Sequence, residues 1–257
     1  MTQGQHTKIH RMKTHTNLIH LESDWGFFLG SFSDNRFHKH HALQLSIAVN
    51  QPVNIKTSQR NYTSEGAIMV QANLWHQLSC EGVHLILLFN PIVSPRYFPE
   101  FLSQSSVYTL KEPWVVSISK IARSVFKRDS DKKQLVEAVS QHLREEGLHD
   151  FGDKSIPDKR IVKGLNYLSN HPDRIVPLEE IADFCFLSPS RFLHLFKSCT
   201  GVPYRQVQLW NRLRQSVPYL QHQSITQTAH QFGFTDSSHY SRAFKNMFGL
   251  TPRRMKS

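Results

Sequence analysis

Phe184-Cys-Phe-Leu-Ser-Pro-Ser-Arg-Phe-Leu-His-Leu-Phe-Lys197 and Phe232-Gly-Phe-Thr-Asp-Ser-Ser-His-Tyr-Ser-Arg-Ala-Phe-Lys245 lie 48 positions apart, and their likeness decides the fold of the last hundred residues. At that shift Phe184 meets Phe232, Phe186 meets Phe234, Phe192 meets Tyr240, Phe196 meets Phe244, Lys197 meets Lys245 and Gly201 meets Gly249. Just upstream Ala182 matches Ala229 at an offset of 47, so the second copy holds one extra residue in its turn. A repeat at a fixed period signals two copies of one supersecondary unit. Each reads as helix, tight turn, helix. In the first, Leu178–Cys185 is a short helix, Ser188 caps the next and Pro189 takes its first position. In the second, Ser224-x-x-Gln227 is a capping box, Gly233 permits the turn and Asp236 caps the following helix. Phe192, Leu195 and Phe196, and then Tyr240, Ala243 and Phe244, recur at i, i+3, i+4 and mark the buried faces.

The outward faces follow by subtraction. They hold Ser190, Arg191, Leu193, His194 and Lys197 in the first unit, and Ser237, Ser238, His239, Ser241, Arg242 and Lys245 in the second. Neither contains a carboxylate. Hydroxyls and imidazoles can meet base edges, Arg can fork onto guanine, and Lys can meet phosphate, as in a helix laid in the major groove. A long helix over 203–221 joins the units, carries Arg205, Arg212 and Arg214, and would set the two reading helices roughly 34 Å apart, one DNA turn.

Charge supports the same partner. The chain of 257 residues carries a net +11. Residues 155–257 hold 14 Lys+Arg against 6 Asp+Glu, whereas residues 1–154 hold 17 against 14. An excess of +8 in the last two-fifths is the footprint of a phosphate binder.

The N-terminal part has a different texture. From Trp25 to about Asn90 short β-branched and aromatic runs alternate with turn signals, which suggests a sandwich or small barrel. After Pro113 the period becomes helical: Val115–Lys127 is a helix, and Leu135, Val139 and Leu143 form a stripe on another over Asp131–Glu146. That stripe is read as a dimer contact, with packing on the barrel in cis as the alternative. The expected division is a flexible tail at 1–20, a sensor and dimerisation domain at 21–150, a linker at 151–157 and a DNA-binding domain at 158–257. The fold class is α+β in two domains.

Several classes drop out. The longest apolar run, Leu85–Phe89, is far short of the ~20 residues that span a bilayer, and the first twenty residues carry no apolar block. A cytoplasmic protein without membrane contact is expected. Cys80, Cys185 and Cys199 have no metal-ligand spacing and read as reduced thiols. No Gly-x-Ser-x-Gly, phosphate loop or paired apolar-set carboxylates support catalysis.

Residues 158–254 resemble the DNA-binding domain of the AraC/XylS family of bacterial transcription regulators. The resemblance rests on Leu178-Glu-Glu-Ile-Ala, Leu187-Ser-Pro-Ser-Arg, Phe196-Lys with Gly201, Arg212, Gly233-Phe-Thr-Asp-Ser-Ser-His-Tyr-Ser-Arg-Ala-Phe-Lys and Phe248-Gly-Leu-Thr-Pro. It implies base reading by Ser190, Leu193, His194, Ser237, Ser238, His239 and Arg242, with Arg191, Lys197, Arg205, Arg212 and Lys245 on phosphates. Two positions depart from the pattern. Pro218 falls inside the joining helix and is expected to kink or end it. Met255 and Lys256 stand where an aromatic and an arginine are usual, which would loosen the last turn.

More faintly, 21–150 resembles the family's cupin-like barrel with dimerisation helices. His38 and His40 alternate on a strand and share one side, with Trp75-His76 later. Metal-binding cupins add a Glu; that place is held by Gln44, a poor ligand, although three imidazoles can still hold zinc or iron. Trp25, His38, His40, Tyr62, Trp75 and His76 are read as an effector pocket, and no metal or cofactor is assigned. The resemblance implies a regulator that binds double-stranded DNA as a homodimer, answers a small-molecule effector and, as an activator, contacts RNA polymerase. The alternatives are a constitutive regulator whose barrel only dimerises, and a cupin metalloenzyme fused to a DNA-binding domain.

Overall fold

The computed structural model describes residues 17–22, 24–31, 36–79, 82–90, 92, 106–128, 131–145, 156–171 and 173–255. Its N-terminal strands are β1 (Leu18–Leu21), β2 (Trp25–Ser31), β3 (Leu43–Ala48), β4 (Val53–Thr57), β5 (Asn61–Ser64), β6 (Ala67–Val70), β7 (His76–Ser79), β8 (Val83–Phe89) and β9 (Val107–Leu110). They pair antiparallel in two sheets, one ordered β1-β2-β8-β3-β6-β9 and one ordered β5-β4-β7. Among the described residues the strands therefore form two sheets and do not close into one hydrogen-bonded barrel. Residues 1–16 lie outside the described residues, and Leu18–His20, expected within the tail, join Leu21 in an edge strand that pairs with β2.

The large sheet is buried on both faces, which is why its strands read as continuous apolar runs. Successive side chains alternate between two cores. Phe27, Leu29, Leu45, Ile47, Leu85 and Leu87 enter one, and Phe28, Ile86 and Leu88 enter the other. Each fully buried side chain of this kind contributes about 1.5–3 kcal/mol of transfer free energy.

Two helices, α1 (Pro113–Arg128) and α2 (Lys133–Glu145), cover the first core. Ser119 Oγ donates to the Ala48 carbonyl at 2.5 Å and Arg123 Nε to that of Val49 at 2.7 Å, which pins α1 to the end of β3. Leu135, Val139 and Leu143 are 0%, 1% and 5% exposed, in one cluster with Val115, Ile118, Ala122 and Val125 of α1. The reading of this stripe as a dimer contact is corrected: α1 and the sheet already cover it, so the cis alternative holds.

The C-terminal part is helical: α3 (Lys159–Asn170), α4 (Leu178–Phe184), α5 (Pro189–Thr200), α6 (Tyr204–Ser216), a 3₁₀ turn (Pro218–Gln221), α7 (Ile225–Gln231), α8 (Ser237–Phe248) and a last 3₁₀ turn (Pro252–Met255). The joining helix is shorter than expected. Pro218 has no N–H to give the Arg214 carbonyl, which takes the Val217 N–H instead; Val217 keeps helical dihedrals, α6 stops at Ser216 and the chain tightens into the 3₁₀ turn. The final turn is packed: Met255 is 4% exposed and fills the place of the usual aromatic, while Gln221 Nε2 donates to its carbonyl. Cys185 is a buried free thiol and Cys199 a half-buried one, and Cys80 lies outside the described residues.

Candidate nucleic-acid interface

Each reading helix is built by a capped start and a glycine stop. Ser188 Oγ accepts from the Arg191 N–H at 3.4 Å, and Asp236 Oδ1 accepts from the His239 N–H at 2.7 Å. Ser224 and Gln227 form the full capping box of α7, at 3.0 and 3.1 Å. Gly201 (φ 75°) and Gly249 (φ 73°) end α5 and α8 in the left-handed conformation that glycine adopts without strain.

The turns locate the extra residue of the second unit. Leu187 N–H donates to the Ala182 carbonyl and Phe234 N–H to that of Ala229, both at 2.9 Å, an offset of 47. The caps Ser188 and Asp236 are offset by 48. The inserted residue is therefore Thr235. The pairing of Phe184 with Phe232 and Phe186 with Phe234 is corrected accordingly: Cys185 and Phe232 end the first helices, and Phe186 occupies the place of Gly233.

Phe186 has φ 56° where its counterpart Gly233 has φ 70°. A left-handed non-glycine residue costs roughly 1–2 kcal/mol, and Phe186 is 81% exposed, so no packing repays it. Its ring only receives Lys163 Nζ at 4.8 Å. Phe186→Gly is expected to stabilise the folded chain by about 1 kcal/mol in denaturant unfolding. An unchanged or lower midpoint would mean that the ring is held by more than this contact.

The first unit is braced by charge. Glu180 on α4 accepts from Tyr167 Oη at 2.5 Å and from Arg174 Nη1 and Nη2 at 2.9 and 2.5 Å. Arg174 and then Tyr167 hold its carboxyl down to about 2. Asp158, capping α3, is likewise held to about 2 by Arg160. A depressed carboxylate stabilises the fold fully above its unfolded value, near 4.5 for Glu180, and that contribution disappears as pH falls toward 2. Stability should fall through this window, and Glu180→Gln should flatten the fall; a parallel pH–stability curve for the variant would refute it.

The exposed faces match the sequence expectation. Ser190, Arg191, Leu193, His194 and Lys197 of α5 and Ser238, His239 and Arg242 of α8 are exposed, while Ser237, Ser241 and Lys245 are half-buried. Phe192, Phe196, Tyr240 and Phe244 are fully buried. His239 Nδ1 lies 3.1 Å from Thr235 Oγ1, which leaves Nε2 outward. Arg205 is exposed.

Arg212 is not a phosphate contact. It is 7% exposed, its Nε donates to the Phe232 carbonyl at 2.8 Å and its Nη2 at 2.6 Å, and its guanidinium lies 4.3 Å from the Phe234 ring centre. It sits on the inner side of α6 and satisfies a carbonyl at the C-terminus of α7. Its sequence spacing gave no sign of this, because an arginine reads the same on either side of a polar helix.

The expected effector residues divide. His38, His40 and His76 converge, with ring centres 4.7 to 5.6 Å apart. A cavity of about 360 Å³ opens on His38 and His40 and is walled by Lys39, Trp75, Lys245 and Asn246, so it lies between the strand region and α8. The His41 N–H donates to the Asn246 carbonyl across this boundary at 3.3 Å. Trp25 belongs instead to the core under α1 and α2, and Tyr62 stacks under Arg60. A larger cavity, about 770 Å³, was not foreseen. It is walled by Ile19, Leu21, Lys132, Arg214, Val217 and Tyr219. Arg214 Nε there is buried without a hydrogen-bond partner among the described residues.

Burial lowers the basicity of all three histidines: His40 to about 3 and His76 to about 4, with neighbouring imidazoles adding to the effect in these two, and His38 in the same direction. All three are neutral near pH 7.

A helix-turn-helix domain family matches residues 181–257. The Probable transcriptional regulator LumQ of Photobacterium leiognathi is 25% identical over 225 residues, covering 84% of this chain and 89% of its own. The Regulatory protein PocR of Salmonella typhimurium is 29% identical over 98 residues, 37% of this chain; the match spans about a third of that relative, 32%. Among solved structures, an apo form of ToxT from Vibrio cholerae strain SCE256 aligns with a TM-score of 0.54 at 14% identity, covering 89% of this chain and 95% of its own. An unsaturated fatty acid bound form of ToxT from the same strain aligns at 0.50, with 14% identity, 90% of this chain and 94% of its own. At these identities the likeness is one of fold.

Proposed function

We propose that this chain is a DNA-binding transcription regulator of the AraC/XylS family, in keeping with its helix-turn-helix match and its regulator relatives, and that it reads bases with Ser190, Leu193 and His194 of α5 and with Ser237, Ser238, His239 and Arg242 of α8. Arg191, Lys197, Arg205 and Lys245 position it on phosphates. The observation that carries this reading is the pair of capped helices whose exposed faces, Leu193 apart, are polar or cationic and free of carboxylates. Selection of randomised duplexes by the full chain is the test. It should enrich two half-sites about 10–10.5 base pairs apart; a single half-site, or none, would refute the paired use of the helices.

The effector belongs in the larger cavity. Its volume suits a small molecule, Ile19, Leu21, Val217 and Tyr219 give it an apolar side, and Lys132 and Arg214, the latter near the carboxylates of Asp24 and Glu22, give it positive charge. An amphiphilic organic anion fits that lining, and a fold neighbour is a fatty acid bound form. Such a ligand should raise the melting temperature of the full chain with concentration, and Arg214→Met should remove the shift.

A homodimer and a contact with RNA polymerase complete the proposal. The dimer must use a surface other than the buried stripe of α2. No helix among the described residues is long and apolar enough to cross a membrane. The cytoplasm is the proposed location, because a regulator works where its DNA is.

A further inference from the structure

His38, His40 and His76 have an arrangement that effector binding in the larger cavity does not use. One donor nitrogen from each lies within 4.8 Å of the other two. His38 Nδ1 faces the Arg36 carbonyl at 2.7 Å and His76 Nδ1 faces the Leu74 carbonyl at 2.9 Å. A carbonyl only accepts, so each Nδ1 carries the ring proton and each Nε2 keeps its lone pair. This is how histidine ligands are oriented around metals, with the far nitrogen tied to a carbonyl.

The burial of the ring nitrogens points to a cation ligand. His76 is 0% exposed, and its Nε2 has no hydrogen-bond partner among the described residues. A buried polar atom left unpaired costs roughly 1–3 kcal/mol. His40 has both ring nitrogens against acceptors at 2.9 Å, the Ala42 carbonyl and Gln44 Oε1. Gln44 Nε2 lies 2.9 Å from Ser46 Oγ, a hydroxyl that can donate or accept, so the amide can turn its oxygen toward His40 Nε2.

The backbone fixes the pair at the centre. His38 and His76 exchange both backbone hydrogen bonds at 2.8 Å, which holds their side chains on one face of a β-bridge. His40 follows two residues after His38, and the cavity gives a route from solvent.

We propose that His38, His40 and His76 form a trihistidine site for a divalent transition metal of the zinc class, with the Gln44 amide oxygen beside the fourth position. Imidazole nitrogens suit zinc, iron, nickel and copper over magnesium or calcium. Tetrahedral zinc with bonds of about 2.0–2.1 Å sets its ligand nitrogens about 3.3 Å apart, so the rings draw inward by small side-chain rotations. The site abuts the second reading helix: a Cβ on Gly249, the stop of α8, would lie 2.6 Å from His38 Nε2.

The N-terminal His6, His10 and His15 are competing ligands in any metal titration. The test therefore uses the full chain with these three changed to Ala, stripped by chelator and then titrated with Co²⁺ and Zn²⁺. One equivalent should bind, with visible cobalt absorption of the tetrahedral type and bleaching by Zn²⁺. X-ray absorption of the zinc form should count three imidazoles. His38→Asn and His76→Asn should each lower affinity by about tenfold or more. Should a variant fail to fold, the imidazole count on the parent chain decides. Binding below one equivalent, fewer than three imidazoles, or affinity unchanged in both folded variants overturns the assignment.

Discussion

Replacing Arg242 by alanine is expected to weaken binding to the cognate operator by about 5- to 150-fold, corresponding to roughly 1–3 kcal/mol, and to relax preference at one base position. The melting temperature should stay where it is, because Arg242 is exposed and no packing depends on it. Its planar fork can make the bidentate guanine contact that an ammonium cannot. Arg212→Ala should do the opposite. It leaves the Phe232 carbonyl unpaired and opens a gap under Phe234, at a cost of about 3 kcal/mol in stability. Any loss of DNA binding by that variant should follow the unfolding of the second unit and return at low temperature. Binding selections and thermal melts of both variants check the pair. If Arg242→Ala weakens cognate and random DNA by one factor, Arg242 is a phosphate contact; if Arg212→Ala melts like the parent, its buried bonds are not holding α6 to α7.

The second large effect is ionic. Arg191, Lys197, Arg205 and Lys245, as phosphate contacts, give a log-affinity against log-salt slope of about −4. Between about 50 and about 200 mM salt that amounts to a loss of roughly two to three orders of magnitude in affinity. Lys197→Ala should make the slope shallower by about one and weaken cognate and random duplexes alike. A flat salt response would remove the phosphate assignment altogether. Lys245 is the informative control, because it is half-buried against the cavity that opens on His38. Its contribution to the slope measures whether it leaves that cavity when DNA binds.

The helical part was legible in the sequence because its signals are local. A cap, a proline at the first helical position and an i, i+3, i+4 aromatic pattern specify α5 and α8 within a dozen residues each. What stayed hidden depends on partners distant in the chain. Arg212 reads as another surface cation until the α7 carbonyl it satisfies is known. Leu135, Val139 and Leu143 form the same stripe whether a second copy or α1 covers it. The histidines show only that two of them share a strand face; that His76 closes on His38 through a β-bridge is a matter of register. The 770 Å³ cavity is assembled from β1, Lys132 just ahead of α2, α6 and the turn at Pro218, segments far apart in the chain. The repeat misled in one detail. Aromatic matches at 184–186 favour a single offset, whereas the backbone places the insertion at Thr235, after the turn.

The two reading units do not share one interior. Trp210, Leu213, Tyr240, Phe244 and Phe248 belong to the same continuous cluster as Phe28, Ile55, Ile86 and Leu88 of the strands. Phe192, Phe196 and Tyr204 belong to a separate cluster with α3 and α4, which takes Ile92 from the N-terminal part. Native-state amide exchange should accordingly divide the DNA-binding half into two cooperative openings. The amides of α6 from Trp210 onward and of α8 should slow together with those of β2 and β8, and the amides of α3 to α5 and the start of α6 should open at their own lower free energy. A signal that tightens the strand region then reaches one reader as a change in its own folding equilibrium and reaches the other through the helix between them and the contact at Ile92.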